Sequence, residues 1–357
     1  MEILKSFLFA LLVGFSIATI AVAQNDQSGF ISIDCGLPAG SDYTDIRTGI
    51  SYVSDEGHVS GGVSHSISPI YQSNSLEKPF FTVTSFPSGT KNCYTLAPSQ
   101  GNLGKYLIRA SFFYGDYDGS GQLPNFDIYL GEDYWDTIII SNASIPYWTE
   151  VIHTPSNDYI TICLVKRDTT TPFISALELR PLNITLYPTL SRSLKLVVRE
   201  NYGSLTNQII RYNDDVYDRI WQPGQTTLEN IHTTQVVSDS FYKVPSAVMS
   251  TAVTPITSPG TGWISYSWTP GNISSKYYFY LHFAEVEELL GTQTREFNIY
   301  INDNLVEGRI SPVYLATTTV YTTSPGYGYE QYDVVINSTA TSTLAPLLNA
   351  LELYVEI

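Results

Sequence analysis

Residues 105–130 read KYLIRASFFYGDYDGSGQLPNFDIYL, and residues 276–301 read KYYFYLHFAEVEELLGTQTREFNIYI. Lys105, Tyr106, Phe112, Phe126, Ile128 and Tyr129 meet Lys276, Tyr277, Phe283, Phe297, Ile299 and Tyr300 at a constant displacement of 171 positions (276 minus 105). A second block, PFISALEL from Pro172, returns as PLLNALEL from Pro346, displaced by 174 positions. Two blocks that keep one order and nearly one spacing make the chain two copies of one unit, with about three residues inserted between the blocks of the second copy.

Around these blocks the apolar residues alternate. Phe126, Ile128 and Leu130 point one way while Asp127 and Tyr129 point the other, the period of a strand. Ile31 and Ile33 share a face in FISIDCG, which stops at Gly36. Further short runs are expected as strands at 50–53, 80–84, 94–96, 138–140, 159–164 and 174–179. In the second copy they are expected at 194–198, 262–268, 277–284, 296–301, 329–336 and 350–355. Helical periodicity is scarce. Many short strands with frequent turn signals predict an all-β chain built as two tandem β-sandwiches.

The first residues are expected to lie outside this fold. One Lys, an apolar run over residues 6–22 and a small-x-small site at 21–23 read as a secretory signal peptide over residues 1–23. The organisation predicted from there is a first domain over 24–181, a connector over 182–192 whose sequon lies between Pro181 and Pro188, and a second domain over 193–357. Roughly 330 mature residues suffice for two cores. The sequons at Asn142, Asn183, Asn272 and Asn337 agree with export and mark expected glycan sites. Cys35, Cys93 and Cys163 make an odd count, so one disulfide is expected without the sequence choosing the pair, and one thiol stays buried or pairs elsewhere.

Net charge of −16 argues against nucleic acid or an anionic membrane surface as partner. Only 15% of residues are charged while tyrosines number 27, a composition suited to neutral polar ligands read by hydrogen bonds and ring stacking. Signatures of nucleotide binding, of serine hydrolases and of zinc proteases are missing, and the five histidines keep no metal-ligand spacing. No cofactor and no metal is expected. Asp116, Asp118, Ser120 and Asp127 have calcium-loop spacing, but Pro124 and the absence of flanking helices favour an acidic hairpin loop. Glu285 and Glu287 fall on one face, the arrangement a glycosidase would need, and glycoside hydrolysis through them is the rival reading; solvated carboxylates at a strand end are the default. The aromatics Tyr114, Tyr117, Tyr134, Trp135, Tyr147, Trp148, Tyr327 and Tyr329 in or near loops are candidate ligand contacts.

At FAEV…EFNIYIND and ALEL the sequence resembles the malectin domain, a β-sandwich related to carbohydrate-binding modules. Two copies in tandem resemble the malectin-like ectodomain of plant receptor-like kinases, in the subgroup whose malectin-like region precedes leucine-rich repeats. FISIDCG, YVSDEG, NCYTL, KYLIRASFFYGDYDG, PFISALELRPL, RYNDDVYDRIW, VPSAVMSTAVTP and LHFAEVEEL carry this likeness from Phe30 to the end. It implies a non-catalytic extracellular recognition module at the cell surface, holding a cell-wall carbohydrate or a secreted peptide, with a partner ectodomain as co-receptor, in a cleft between the sandwiches. The chain is expected to be either part of such a receptor or a secreted module. In animal malectin two adjacent aromatics follow FAEV and bind a glucose disaccharide. Here Glu287 and Glu288 hold those positions in the second copy, and Asp116 and Tyr117 in the first. Tyr71 aligns with a family tyrosine, but the ligand tyrosine five positions on is Leu76, and the ligand aspartate becomes Thr170 or Leu344. The resemblance therefore implies a sugar site lost in the second copy and reduced to Tyr117, with Tyr71, Tyr114 and Asp116 around it, in the first.

Overall fold

The computed structural model describes residues 26–167, 169–256 and 262–357. The expected signal peptide lies outside them. One long sheet forms the spine. Its strands lie in the order Asp42–Thr44, Ser51–Ser54, Ile31–Asp34, Ala176–Leu182, Lys105–Phe112, Tyr147–His153, Ser193–Asn201, Ala350–Glu356, Tyr277–Phe283 and Thr318–Tyr321. The two halves repeat one pattern, since the ALEL strand lies between the first strand of its copy and the KY strand each time. A four-stranded sheet covers each half. The first holds Lys91–Leu96, Ile160–Lys166, Asn125–Leu130 and Asp133–Ile139; the second holds Trp263–Trp268, Tyr332–Ser338, Phe297–Ile301 and Asn304–Ile310. The chain is thus two tandem β-sandwiches, as the repeat and the alternation imply.

The inward faces make two separate cores. Ile33, Ile108, Ala110, Leu177 and Leu179 meet Tyr94, Phe126, Ile128 and Ile162 in the first. Leu281, Phe283, Leu351 and Leu353 meet Phe297, Ile299, Val334 and Ile336 in the second. Equivalent backbone groups even share equivalent partners. The Phe113 amide donates to Ser175 Oγ at 2.9 Å, and the Ala284 amide donates to Asn349 Oδ1 at 2.8 Å. Gly36 and Gly203 end the first strand of each copy at positive φ, and a Cβ on either would lie 2.3 Å from the carbonyl oxygen of Val83 or of Ala252. Gly36→Ala and Gly203→Ala should each cost on the order of 3 kcal/mol. Chemical denaturation of each variant checks this, and a loss below about 0.5 kcal/mol at either site would show that the close approach relaxes freely.

Within the spine the strands of the two halves are spliced edge to edge. Val151, Ile152 and His153 pair with Lys195, Leu194 and Ser193, which joins the last strand of the first half to the first strand of the second. The strand Tyr147–His153 was not among the expected strands. Its outer residues are buried rather than solvated, so period-two alternation is masked.

A third layer lies on the outer face of the spine. Leu107, Ile152, Leu194, Tyr278, Tyr280 and Tyr354 are covered by Leu186, Tyr187, Trp221, Val244, Val248 and Met249. Residues between the two halves are therefore packed rather than solvated: Lys105 Nζ donates to the carbonyls of Leu186 and Tyr187, and Tyr187 is wholly buried. RYNDDVYDRIW, which shows no alternation, lies across both halves. Asp218 accepts from Arg109 (3.2 Å), Arg180 (2.9 Å) and Arg211 (2.9 Å), all from the face it covers or from its own segment. Glu150 bridges the halves, accepting from Arg109 and from Arg199 at 2.7 Å each. The glutamates of the two ALEL blocks hold equivalent places. Glu178 accepts from Arg109, Arg180 and Arg211, and Glu352 from Arg199 and Tyr187. These charges are buried but matched, the condition under which burial is tolerated.

Cys93 and Cys163, directly opposed on neighbouring strands, form the disulfide, and Cys35 is a buried free thiol whose pKa is raised by burial.

Candidate functional site

Among the loop aromatics of the first half, Tyr114 and Trp135 fold inward while Tyr134 is exposed. Tyr114 and Trp135 are core residues. The Tyr114 hydroxyl lies 2.6 Å from Asp118 Oδ1, 3.0 Å from Ser120 Oγ and 3.1 Å from Asp116 Oδ1. Burial, followed by the bond to Asp118, raises its pKa. The acidic loop is closed on a phenol, with Asp116 also accepting from the Gly121 amide at 2.9 Å. Among the described residues no three His, Cys, Asp or Glu side chains converge as metal ligands. Tyr117 packs its ring on Phe173 (5.3 Å) and His65 (5.1 Å), and Tyr71 lies partly buried against the same core. Thr170, at the family's aspartate position, bonds the backbone of Asn125 at 3.1 Å. Tyr71, Tyr114, Asp116 and Tyr117 thus sit in one region, with all three rings turned into the core or packed on it.

In the second half Glu288 is exposed, while Glu287 accepts from Arg295 Nη2 at 2.9 Å. Glu285 is buried, contrary to the expected solvated strand end, and accepts from Arg295 Nε at 2.7 Å. One guanidinium holds both carboxylates, and Glu285 also accepts from the amides of Val286 and Glu287. Both carboxylates are therefore engaged by Arg295, and Glu285 is closed off from solvent.

A large concavity lies elsewhere. Past Val151 and Lys195 the spliced strands splay apart, and a cleft of about 960 Å³ opens between the two halves. Tyr134, Tyr147, Trp148 and Tyr277 give it aromatic walls. Its polar centre is Asp136, which accepts from Lys195 Nζ at 2.7 Å, from Thr149 Oγ1 at 2.9 Å and from the Tyr147 hydroxyl at 3.4 Å. The pKa of Tyr147 is raised, first by burial and then by Asp136. A cleft of this kind, apolar rings around a few fixed polar groups, is what a ligand site at a domain boundary presents. Tyr134, Tyr147 and Trp148 were candidates from the sequence; Asp136 and Lys195 were not. Their ion pair joins residues 59 apart in different halves, and no local pattern announces it.

His153 closes the splice beside the cleft. Its Nδ1 lies 2.8 Å from Ser193 Oγ, and burial, reinforced by Arg192 and opposed by Asp133, lowers its pKa to about 4. A depressed histidine leaves the unfolded chain binding more protons between its ordinary value and 4, so its contribution to stability is lost as pH falls through that window. Relative to wild type, His153→Gln should gain about 2 kcal/mol on going from pH 7 to pH 4.5. Urea unfolding of both proteins at the two pH values measures the difference, and an unchanged gap would rule the effect out.

Three of the four sequons are exposed turns in which Asn Oδ1 accepts from the Ser or Thr two residues on: Asn142, Asn183 and Asn272. Asn337 lies in a strand and is exposed, and Asn272 stands on the cleft wall.

Fold and cleft together define a tandem β-sandwich protein with a cleft at the splice between its halves. Residues 33–355 match the malectin-like domain, and the chain belongs to that family. Two leucine-rich repeat receptor-like protein kinases of Arabidopsis thaliana are similar to it. One is 42% identical over 345 residues, covering 95% of this chain and 39% of that protein. The other is 44% identical over 343 residues, covering 94% and 39%. The chain therefore spans well under half the length of these relatives. Among solved structures, the ANX2 ectodomain from Arabidopsis thaliana superposes with a TM-score of 0.71 at 18% identity, covering 92% of this chain and 97% of that one. The receptor-like kinase FER gives 0.71 at 18% identity, covering 92% and 96%. FER in complex with the peptide RALF23 and LLG2 gives 0.66 at 16% identity, covering 91% and 94%. No helix among the described residues is long and apolar enough to cross a membrane.

Proposed function

We propose that this chain is the extracellular ligand-recognition region of a receptor-like kinase, glycosylated at its sequons, and that it holds a secreted peptide or a partner ectodomain in the cleft between the sandwiches. The cleft carries this reading, because it is a large concavity in which aromatic walls surround an organised charge pair, Asp136 with Lys195. The region that would serve a cell-wall carbohydrate supports it less well, since Tyr114 is buried and Tyr117 is packed against Phe173. A peptide in complex with the structurally similar FER adds support for a peptide partner.

Immobilised protein, expressed through a secretory pathway, is offered a displayed library of random peptides and, separately, a panel of wall oligosaccharides. Peptide capture by wild type, at least tenfold weaker in Lys195→Glu, is the expected result. Saturable oligosaccharide binding lost in Tyr117→Ala, with no peptide captured, would replace this reading by a lectin.

A further inference from the structure

A pocket of about 140 Å³ opens on the outer face of the spine behind Trp148. Ser111 and Ala176, paired on adjacent strands, make its floor, with Tyr52 beside them. The relation between the halves puts His282, Ala350 and Trp221 at those three places in the second half, where His282 pairs with Ala350 just as Ser111 pairs with Ala176. There the space is filled. His282 is wholly buried, 3.2 Å from Glu352 and 2.9 Å from Thr319, with the Trp221 ring 5.8 Å away. In the first half Ser stands for His and Tyr for Trp, and the space is left open.

The chemistry of the opening selects its occupant. Every nitrogen of Arg109 and Arg211 already donates, to Glu77, Glu150, Glu178 and Asp218, and Glu178 also accepts from the Tyr52 hydroxyl at 2.7 Å. The charged groups at this floor are thus engaged with one another, and Ser111 brings a single small hydroxyl. Apart from Ser75, the remaining walls, among them Leu76, Phe80, Trp148, Ile209 and Ile220, are apolar. Pro146, Trp148 and Ile220 also line the cleft, so the two spaces share a wall. A chain lying in the cleft can turn one side chain past Trp148.

We infer that this pocket anchors a single aliphatic or aromatic side chain of an extended peptide bound in the cleft, with the small Ser111 setting its depth. Buried anchors of this type dominate recognition at many interfaces. The inference rests on the cleft being the peptide site, and its test separates the two. The probes are N-acetyl-leucinamide, N-acetyl-phenylalaninamide and N-acetyl-glycinamide, titrated against the full chain by NMR and calorimetry. The two apolar amides should bind saturably and about tenfold or more tighter than the glycine amide. Ser111→His, which copies the second half, should abolish that preference. If thermal melting shows that variant to be unfolded, Ile209→Ser at the half-exposed mouth serves instead and should weaken the preference. Equal or absent binding of all three amides, or a preference retained in the folded variants, overturns the inference. Displayed peptides captured by wild type should be enriched in Leu, Ile or Phe. Capture without such enrichment overturns the anchor while the cleft reading stands. Amide binding with no peptide captured overturns the cleft reading, and the peptide as occupant with it.

Discussion

Asp218→Asn should lower stability by about 3–5 kcal/mol, the cost of removing one member of a buried, mutually satisfied ion group. The substitution keeps the volume and takes away the charge that faces Arg109, Arg180 and Arg211. Those guanidiniums stay buried with fewer acceptors, and the segment from Arg211 to Trp221 loses its hold on the first half. Thermal unfolding should shift downward by roughly 6–15 °C. A double variant with Arg180→Met should lose less than the sum of the two single changes, because the removed partners face each other. Purely additive losses would show that Asp218 and Arg180 act separately. The pH dependence has a defined sign. Neighbouring arginines hold Asp218 and Glu352 well below the usual carboxylate range, and Glu178 is brought down to about 2 despite its burial. A depressed carboxylate contributes stability above its unfolded value and loses it as pH falls through the folded one. Acid unfolding should therefore set in below about pH 4.5, and Asp218→Asn should flatten it.

Replacing Cys93 and Cys163 together by Ala should cost about 4 kcal/mol, from the chain entropy that closing a loop of this length removes from the unfolded state. The bridge spans 70 residues and ties the edge strand Lys91–Leu96 to Ile160–Lys166. Both lie in the covering sheet of the first half, and no cysteine exists in the second half to do the same. The loss should appear as local opening around Lys91–Leu96 before global unfolding, read by amide hydrogen exchange. Uniform loss of protection across both halves would show that they unfold as one. Cys35→Ala alone removes no bridge, and denaturation midpoints separate the two cases.

The repeat carried most of the fold, and the reason is local. The offset of Lys105–Leu130 onto Lys276–Ile301, and of one ALEL block onto the other, translates directly into strands at equivalent places in the spine. Asn125–Leu130 alternates because one face meets the core and the other is half-open. Tyr147–His153 escaped notice because its outer face is also covered, so Glu150 and Ile152 are both buried and the alternation carries no contrast. RYNDDVYDRIW was legible as an oddity, polar and aromatic without period. Its role came from charges on strands far away in sequence.

The candidate site divides the same way. Sequence could place Tyr114, Tyr117, Glu285 and Glu287 in loops or at strand ends, since that depends on neighbours in the chain. It could not say that Tyr114 turns inward to close the Asp116–Ser120 loop, or that Arg295 holds both glutamates. By itself the sequence determined that the chain is a duplicated all-β unit, because strand period and repeat offset are properties of residues in order; the likeness to the malectin domain rested on its motifs. Only the tertiary structure decided that the two units share one sheet, that Asp136 and Lys195 face a cleft at its splice, and that Ser111 leaves open what His282 fills. Each of these depends on residues from separate strands meeting in space, and the local order of one strand does not say which residue of a distant strand its side chains will meet.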